Sequence, residues 1–168
     1  MKKLTFLVVL AAVGIGFGIF GSAPIAGQAA RTGKLILWAD LAMFQPPGHP
    51  ENCIVKNRFK RGEPAGFRLY AIDGGTGEPE TTAQIVVHIT YAGKKVDVPA
   101  LYRGVAHTNP ATGQPMPVRS NQWTARWVVP NDAPVGIVRY TATARDKYGR
   151  TVEFSPPHGE PSWLTVVQ

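Results

Sequence analysis

Cys53 is the only cysteine in 168 residues. No disulfide can close within the chain, so the fold must hold by packing and polar contacts alone. Catalytic signatures are missing as well. There is no Gly-x-Ser-x-Gly elbow, His-Glu-x-x-His pair, phosphate loop or Cys-x-x-Cys. Serines are few, and the carboxylates Asp73, Glu78, Glu80, Asp132 and Asp146 sit beside glycine or proline or in turns, where capping and turn-making explain them. The expectation is a protein that is not an enzyme. After Arg31 no segment keeps a 3.6-residue apolar period, and no internal repeat or low-complexity tract is visible, which excludes a helical fold.

A long uncharged N-terminus is present instead. Lys2 and Lys3 precede the apolar run Leu4–Phe20, small residues follow, and no further charge appears until Arg31. A basic start, an apolar stretch and a small-residue exit are the parts of a secretory signal. The run is longer than the usual core of about 7–15 residues and shorter than the roughly 20 that span a bilayer. Residues 1–30 are therefore read as a signal peptide, cut near Ala30, or as an N-terminal membrane anchor through residues 4–20. Gly27-Gln28-Ala29 offers the small residues a peptidase reads, and Gly14 and Gly18 lie four apart, as in packed membrane helices. In both cases Lys2 and Lys3 stay inside and the body is exported. The expected location is extracytoplasmic, at the periplasm or cell surface.

The exported part, residues 31–168, has the size of one domain. It holds sixteen Lys and Arg against eleven Asp and Glu, a net charge of +5. Its one basic cluster is Lys56-Asn57-Arg58-Phe59-Lys60-Arg61, read as a solvated strand end or loop, or as a contact for an acidic partner. Export and the lack of a recognition helix exclude nucleic acid.

Strict alternation between breaker clusters is what recurs, and it predicts strands. Val138, Tyr140, Ala142 and Ala144 alternate with Arg139, Thr141, Thr143 and Arg145, so a one-residue slip would bury two arginines. Trp123, Ala125, Trp127 and Val129 form a second inner face; Phe67, Leu69 and Ala71 a third; Ile85, Val87, Ile89 and Tyr91 a fourth. Ala92-Gly93-Lys94 and Asp146-Lys147-Tyr148-Gly149 are hairpin turns. With Leu35–Phe44, Lys95–Leu101, Thr151–Phe154 and Trp163–Val167 the total is about eight strands, which two face-to-face sheets accommodate. The longer connections are the proline-rich Gln45–Asn52 and Ser155–Ser162 and the nineteen-residue Arg103–Asn121, and loops that long are usually functional or mobile.

Trp123–Pro130, then Ala133-Pro134-Val135-Gly136 leading to Tyr140, then Asp146-Lys147-Tyr148-Gly149 resembles bacterial immunoglobulin-like and fibronectin-type modules, as does Phe59–Asp73 upstream. The resemblance covers roughly Phe59–Phe154. It implies an all-β, immunoglobulin-like antiparallel β-sandwich of about 7–9 strands, preceded by the N-terminal apolar helix. Antibody-type domains are excluded, since no cysteine pair can bridge the sheets. The fold serves many roles, and the one expected here is an accessory or structural module acting by protein–protein contact in a cell-envelope assembly. Lys56, Arg58, Lys60, Arg61, Tyr102 and Tyr148 are its expected partner contacts.

Two alternatives come from particular residues. Met43, His49 and Cys53 fall within eleven residues, with His158 on the second proline-rich segment; thioether, imidazole and thiolate together suit copper. The plain reading keeps Met43 and Cys53 as buried hydrophobes and the histidines as solvated, with no cofactor. His88 and His107 are read as isolated surface residues. The second alternative is a carbohydrate-binding module, because Trp and Tyr rings stack on sugars. Trp38, Trp123, Trp127 and Trp163 are nevertheless assigned to the core.

Overall fold

The structure, a computed structural model, describes residues 33–168 apart from 47, 110, 111, 117 and 119. The N-terminal signal or anchor therefore lies outside the described residues. The elements are β1 (Leu35–Met43), β2 (Arg58–Lys60), β3 (Pro64–Asp73), β4 (Gln84–Tyr91), β5 (Lys94–Pro99), β6 (Leu101–Tyr102), β7 (His107–Thr108), β8 (Pro115–Met116), β9 (Trp123–Val128), β10 (Gly136–Arg145), β11 (Thr151–Phe154) and β12 (Leu164–Val167). A 3₁₀ turn, Glu160–Ser162, precedes β12.

Two sheets share ten of the twelve described strands. The first has the order β1-β3-β9-β6; the second runs β2-β12-β10-β4-β5, with β11 also on β10. Pairing is antiparallel except between β2 and β12. Alternation decides which side chains face inward, and the predicted inner faces of β3, β4, β9 and β10 are the buried ones. Two aromatic pairs join the sheets across the core: Phe67 of β3 meets Tyr140 of β10 with ring centroids 5.2 Å apart, and Tyr91 of β4 meets Trp127 of β9 at 5.4 Å. Each buried large apolar side chain contributes about 1.5–3 kcal/mol. That is how the sandwich holds without a disulfide.

The described residues form twelve strands where the sequence predicts about eight, and the four extra ones are short. The basic cluster contains β2, whose Phe59 is fully buried between two exposed neighbours. The stretch predicted as one strand over 95–101 is two: Ala100 donates to the Ile85 carbonyl, and Leu101 then pairs with Thr124. The chain crosses from the second sheet to the first at that point. Within the long connection, β7 and β8 form a small ribbon. The β4–β5 turn is the predicted tight hairpin, with Ala92 and Gly93 both at positive φ, 46° and 75°.

Candidate functional site

The outward side chains of β1 and β3 do not match the expectation for Trp38. Leu35, Leu37, Ala39 and Leu41 point into the core, so strand parity turns Trp38 outward. It is 50% exposed, a correction to its assignment as a core residue. Tyr70 stands directly opposite in register, the rings 5.4 Å apart and tilted by 40°. The row continues across the sheet. The Tyr70 hydroxyl donates to Gln122 Oε1 (2.7 Å), and the Arg103 backbone N–H donates to the Gln122 carbonyl (2.8 Å). In the next row Arg68 grips both carboxylate oxygens of Asp40 (2.7 and 2.5 Å). Beside it, Thr124 Oγ1 accepts from Arg103 Nε (2.7 Å). The Phe44 ring lies over Gly66, where any Cβ would meet it at 2.5 Å, and closes this face at one end. Ile36, nearly half exposed, borders the other.

The residues expected to bind copper are not brought together. Met43 is fully buried, and its sulfur accepts from Gln45 Nε2 (3.6 Å). Cys53 is exposed, which corrects the reading of it as a buried hydrophobe. The cause is the segment after β1, which folds back along that strand's free edge: Cys53 N–H donates to the Met43 carbonyl, and Met43 N–H to the Ile54 carbonyl. This backbone ladder holds Cys53 at φ 66° with its thiol outside. His49 accepts from the Glu51 N–H in the same loop. His158 lines a groove with Trp163 and Arg139 beside the second sheet. Among the described residues, no group of three or more His, Cys, Asp or Glu is placed to hold a metal ion.

Most of the expected partner contacts have partners inside the fold. Lys56 Nζ pairs with Glu63 (2.9 Å), Arg58 with Glu160 (2.8 Å), and Arg61 Nε donates to the Ala133 carbonyl (2.8 Å). Lys60 remains on the surface, where its backbone N–H donates to Glu63. Tyr102 faces inward against Trp123, centroids 4.6 Å apart. The Tyr148 ring lies between Lys147 and Arg150, at 5.0 and 5.6 Å. Trp163 caps the 3₁₀ turn half-buried and so lies just outside β12.

His88 is not isolated. Its Nδ1 is 2.7 Å from Asp97 Oδ1 and its Nε2 is 2.9 Å from Thr143 Oγ1. Carboxylate, imidazole and hydroxyl is the order of a nucleophile relay. Here the three lie across β5, β4 and β10 on an open sheet face, which is the geometry of a cross-strand ladder.

The largest feature missed from sequence is a buried cage around Arg150. Asp73, Glu80 and Asp146 are 1%, 3% and 5% exposed, and all three carboxylates take a hydrogen bond from its guanidinium. A fourth guanidinium bond reaches the Gly33 carbonyl. The remaining oxygens accept from Gly75 and Thr76, from Thr82, and from the Tyr148 and Arg150 N–H groups. The turn-making role expected of Asp73 and Asp146 is real, but only half of what they do.

Hydrogen bonding from Arg150 outweighs burial and, with the Gly75 and Thr76 N–H groups, holds Asp73 down at about 2 against an ordinary 3.8. Burial pushes Asp146 up, but Arg150 and two backbone N–H groups bring it below the usual carboxylate range. A depressed carboxylate stabilises the fold above its unfolded-state value and ceases to as pH falls through its folded one. Acid titration followed by circular dichroism should therefore show flat stability from neutral pH down to about 4. Most of the loss should come between about 4 and 2. A loss centred near pH 6 would point to histidine instead.

No protein-family profile matches this chain, and no curated protein matches it. Among solved structures, a DUF4466 family protein from Parabacteroides merdae aligns with 76% of this chain at 16% identity, with a TM-score of 0.37. The alignment covers 44% of that protein, so this chain spans under half its length.

Proposed function

We propose that this chain is a non-catalytic, extracytoplasmic module of immunoglobulin-like architecture that works by contact within a cell-envelope assembly, through the outer face of its first sheet. The strand order supports the architecture. Immunoglobulin-type sandwiches order one sheet A-B-E-D and the other around G-F-C. Taking β1, β3, β6 and β9 as A, B, D and E, and β4, β10 and β12 as C, F and G, reproduces both orders. The basic, apolar and small-residue parts of residues 1–30 support export.

The observation that carries the contact reading is Trp38. A half-exposed tryptophan beside a second aromatic ring, on an edge strand and outside the core, keeps much of its apolar surface in water, and aromatic rings are enriched where surfaces bind. A photoreactive amino acid at position 38, irradiated in living cells, should yield a heavier adduct. The same group at the comparably exposed Ile137, on the other sheet, should not. Adducts at 137 and none at 38 would sink the assignment of this face.

A further inference from the structure

The first sheet's outer face carries a second level of order, and it speaks to the chemistry of the ligand. We propose that this face binds an anionic glycan laid across its four strands. The inference rests on the reading of that face as a contact surface and adds the class of ligand.

Neighbouring strands are about 4.8 Å apart, so the row Trp38, Tyr70, Gln122, Arg103 runs for about 14 Å in even steps. Its first two members are rings whose flat faces suit the C–H faces of sugars. The next two are an amide and a guanidinium. The polar groups in and beside the row are fixed beforehand. Gln122 Oε1 is taken by the Tyr70 hydroxyl, which leaves the amide N–H groups to donate outward. Thr124 accepts from Arg103 and keeps its own O–H to give. Both Asp40 oxygens are held by Arg68, each with a lone pair to spare. Donors and acceptors locked in place lose little freedom on binding.

A protein partner fits this pattern poorly. The buried centres of protein interfaces are depleted in charge, whereas here the Asp40–Arg68 pair lies in the row next to Trp38 and Tyr70. A protein covering the rings would have to strip the water that still reaches that pair, 20% and 22% exposed, and leave its spare lone pairs unmet, which is costly. A glycan supplies hydroxyls at the same height as its ring faces and so replaces the water on the pair with hydrogen bonds. Arg68, Arg103 and the exposed Arg126 outnumber Asp40 on this face, and this excess favours sugars that bear carboxylates.

Calorimetric titration of the exported chain with a galacturonate hexamer and with cellohexaose tests the proposal. The acidic hexamer should bind more tightly than the neutral one, and its binding should weaken with salt. Trp38→Ala should lower affinity at least about tenfold, equivalent to about 1.4 kcal/mol, while the protein still melts cooperatively as a folded domain, because the ring lies outside the core. Arg103→Ala should weaken the acidic ligand and spare the neutral one, and Ile137→Ala should change neither. In the wild type, tryptophan emission should also shift on titration, a readout independent of how any variant folds. Binding that survives Trp38→Ala at full strength would overturn the site. If neither hexamer binds while position 38 still cross-links in cells, the glycan is wrong, a protein partner takes its place, and the contact module stands.

Discussion

Arg150→Met should lower the melting temperature by about 10–20 °C, more than any other substitution of a charged residue in this chain. The side chain removed is one guanidinium, but it is the cation that three buried carboxylates share. Burying an uncompensated charge is what makes a broken internal pair so costly. Arg150→Lys should recover only part of the loss, since an ammonium cannot hold Asp73, Glu80, Asp146 and the Gly33 carbonyl together in one plane. The pH response should separate this account from simple loss of packing. The wild type loses stability on acidification. The methionine variant should gain it between about pH 7 and 5, because protonation relieves buried carboxylates that have lost the guanidinium they shared. Parallel pH profiles for the two proteins would refute the cage as the origin of the effect.

Trp123→Ala is expected to cost about 3–5 kcal/mol in urea unfolding, a large share of the 5–15 kcal/mol a domain has. Trp123 is 2% exposed, packs on Tyr102, and donates its indole N–H to the Ala83 carbonyl (3.0 Å). Truncation leaves both a cavity and a buried carbonyl without its donor, and the two penalties act together. Arg126→Ala, three residues along the same strand and facing water, should cost under about 0.5 kcal/mol. Reversed costs would mean that β9 is out of register with β3 and that the proposed inner face is wrong.

The periodic part of the fold was legible. Val138 to Ala144, Ile85 to Tyr91 and Trp123 to Val129 bury the predicted faces, because period-2 alternation is imposed locally by the strand itself. Trp38 was misassigned although the same rule covers it. Leu35-Ile36-Leu37-Trp38 is apolar on both faces, so parity could be read only by starting from Asp40 and counting back by twos. Cys53 went astray because its place depends on a loop returning to β1, a contact that leaves no period. The Arg150 cage was invisible for a stronger reason. Its members come from the residues just before β1, the end of β3, the β3–β4 connection and the β10–β11 turn, and each looks like ordinary turn chemistry where it stands. Of the outer-face row, Trp38 alone stands out in the sequence as an aromatic of note, while Tyr70, Gln122 and Arg103 acquire meaning only from strand order.

The parallel pairing of β2 with β12 bears on time. A chain that emerges N-terminus first, from the ribosome or an export channel, presents Arg58–Lys60 long before Leu164–Val167 exists to receive it. Until then Phe59 has no cover from that strand and β2 no hydrogen-bonding partner there. The second sheet thus acquires its outermost strand only once Leu164–Val167 is out, more than a hundred residues after β2, and for that interval an unpaired strand and its phenylalanine are open to chaperones or to another nascent copy.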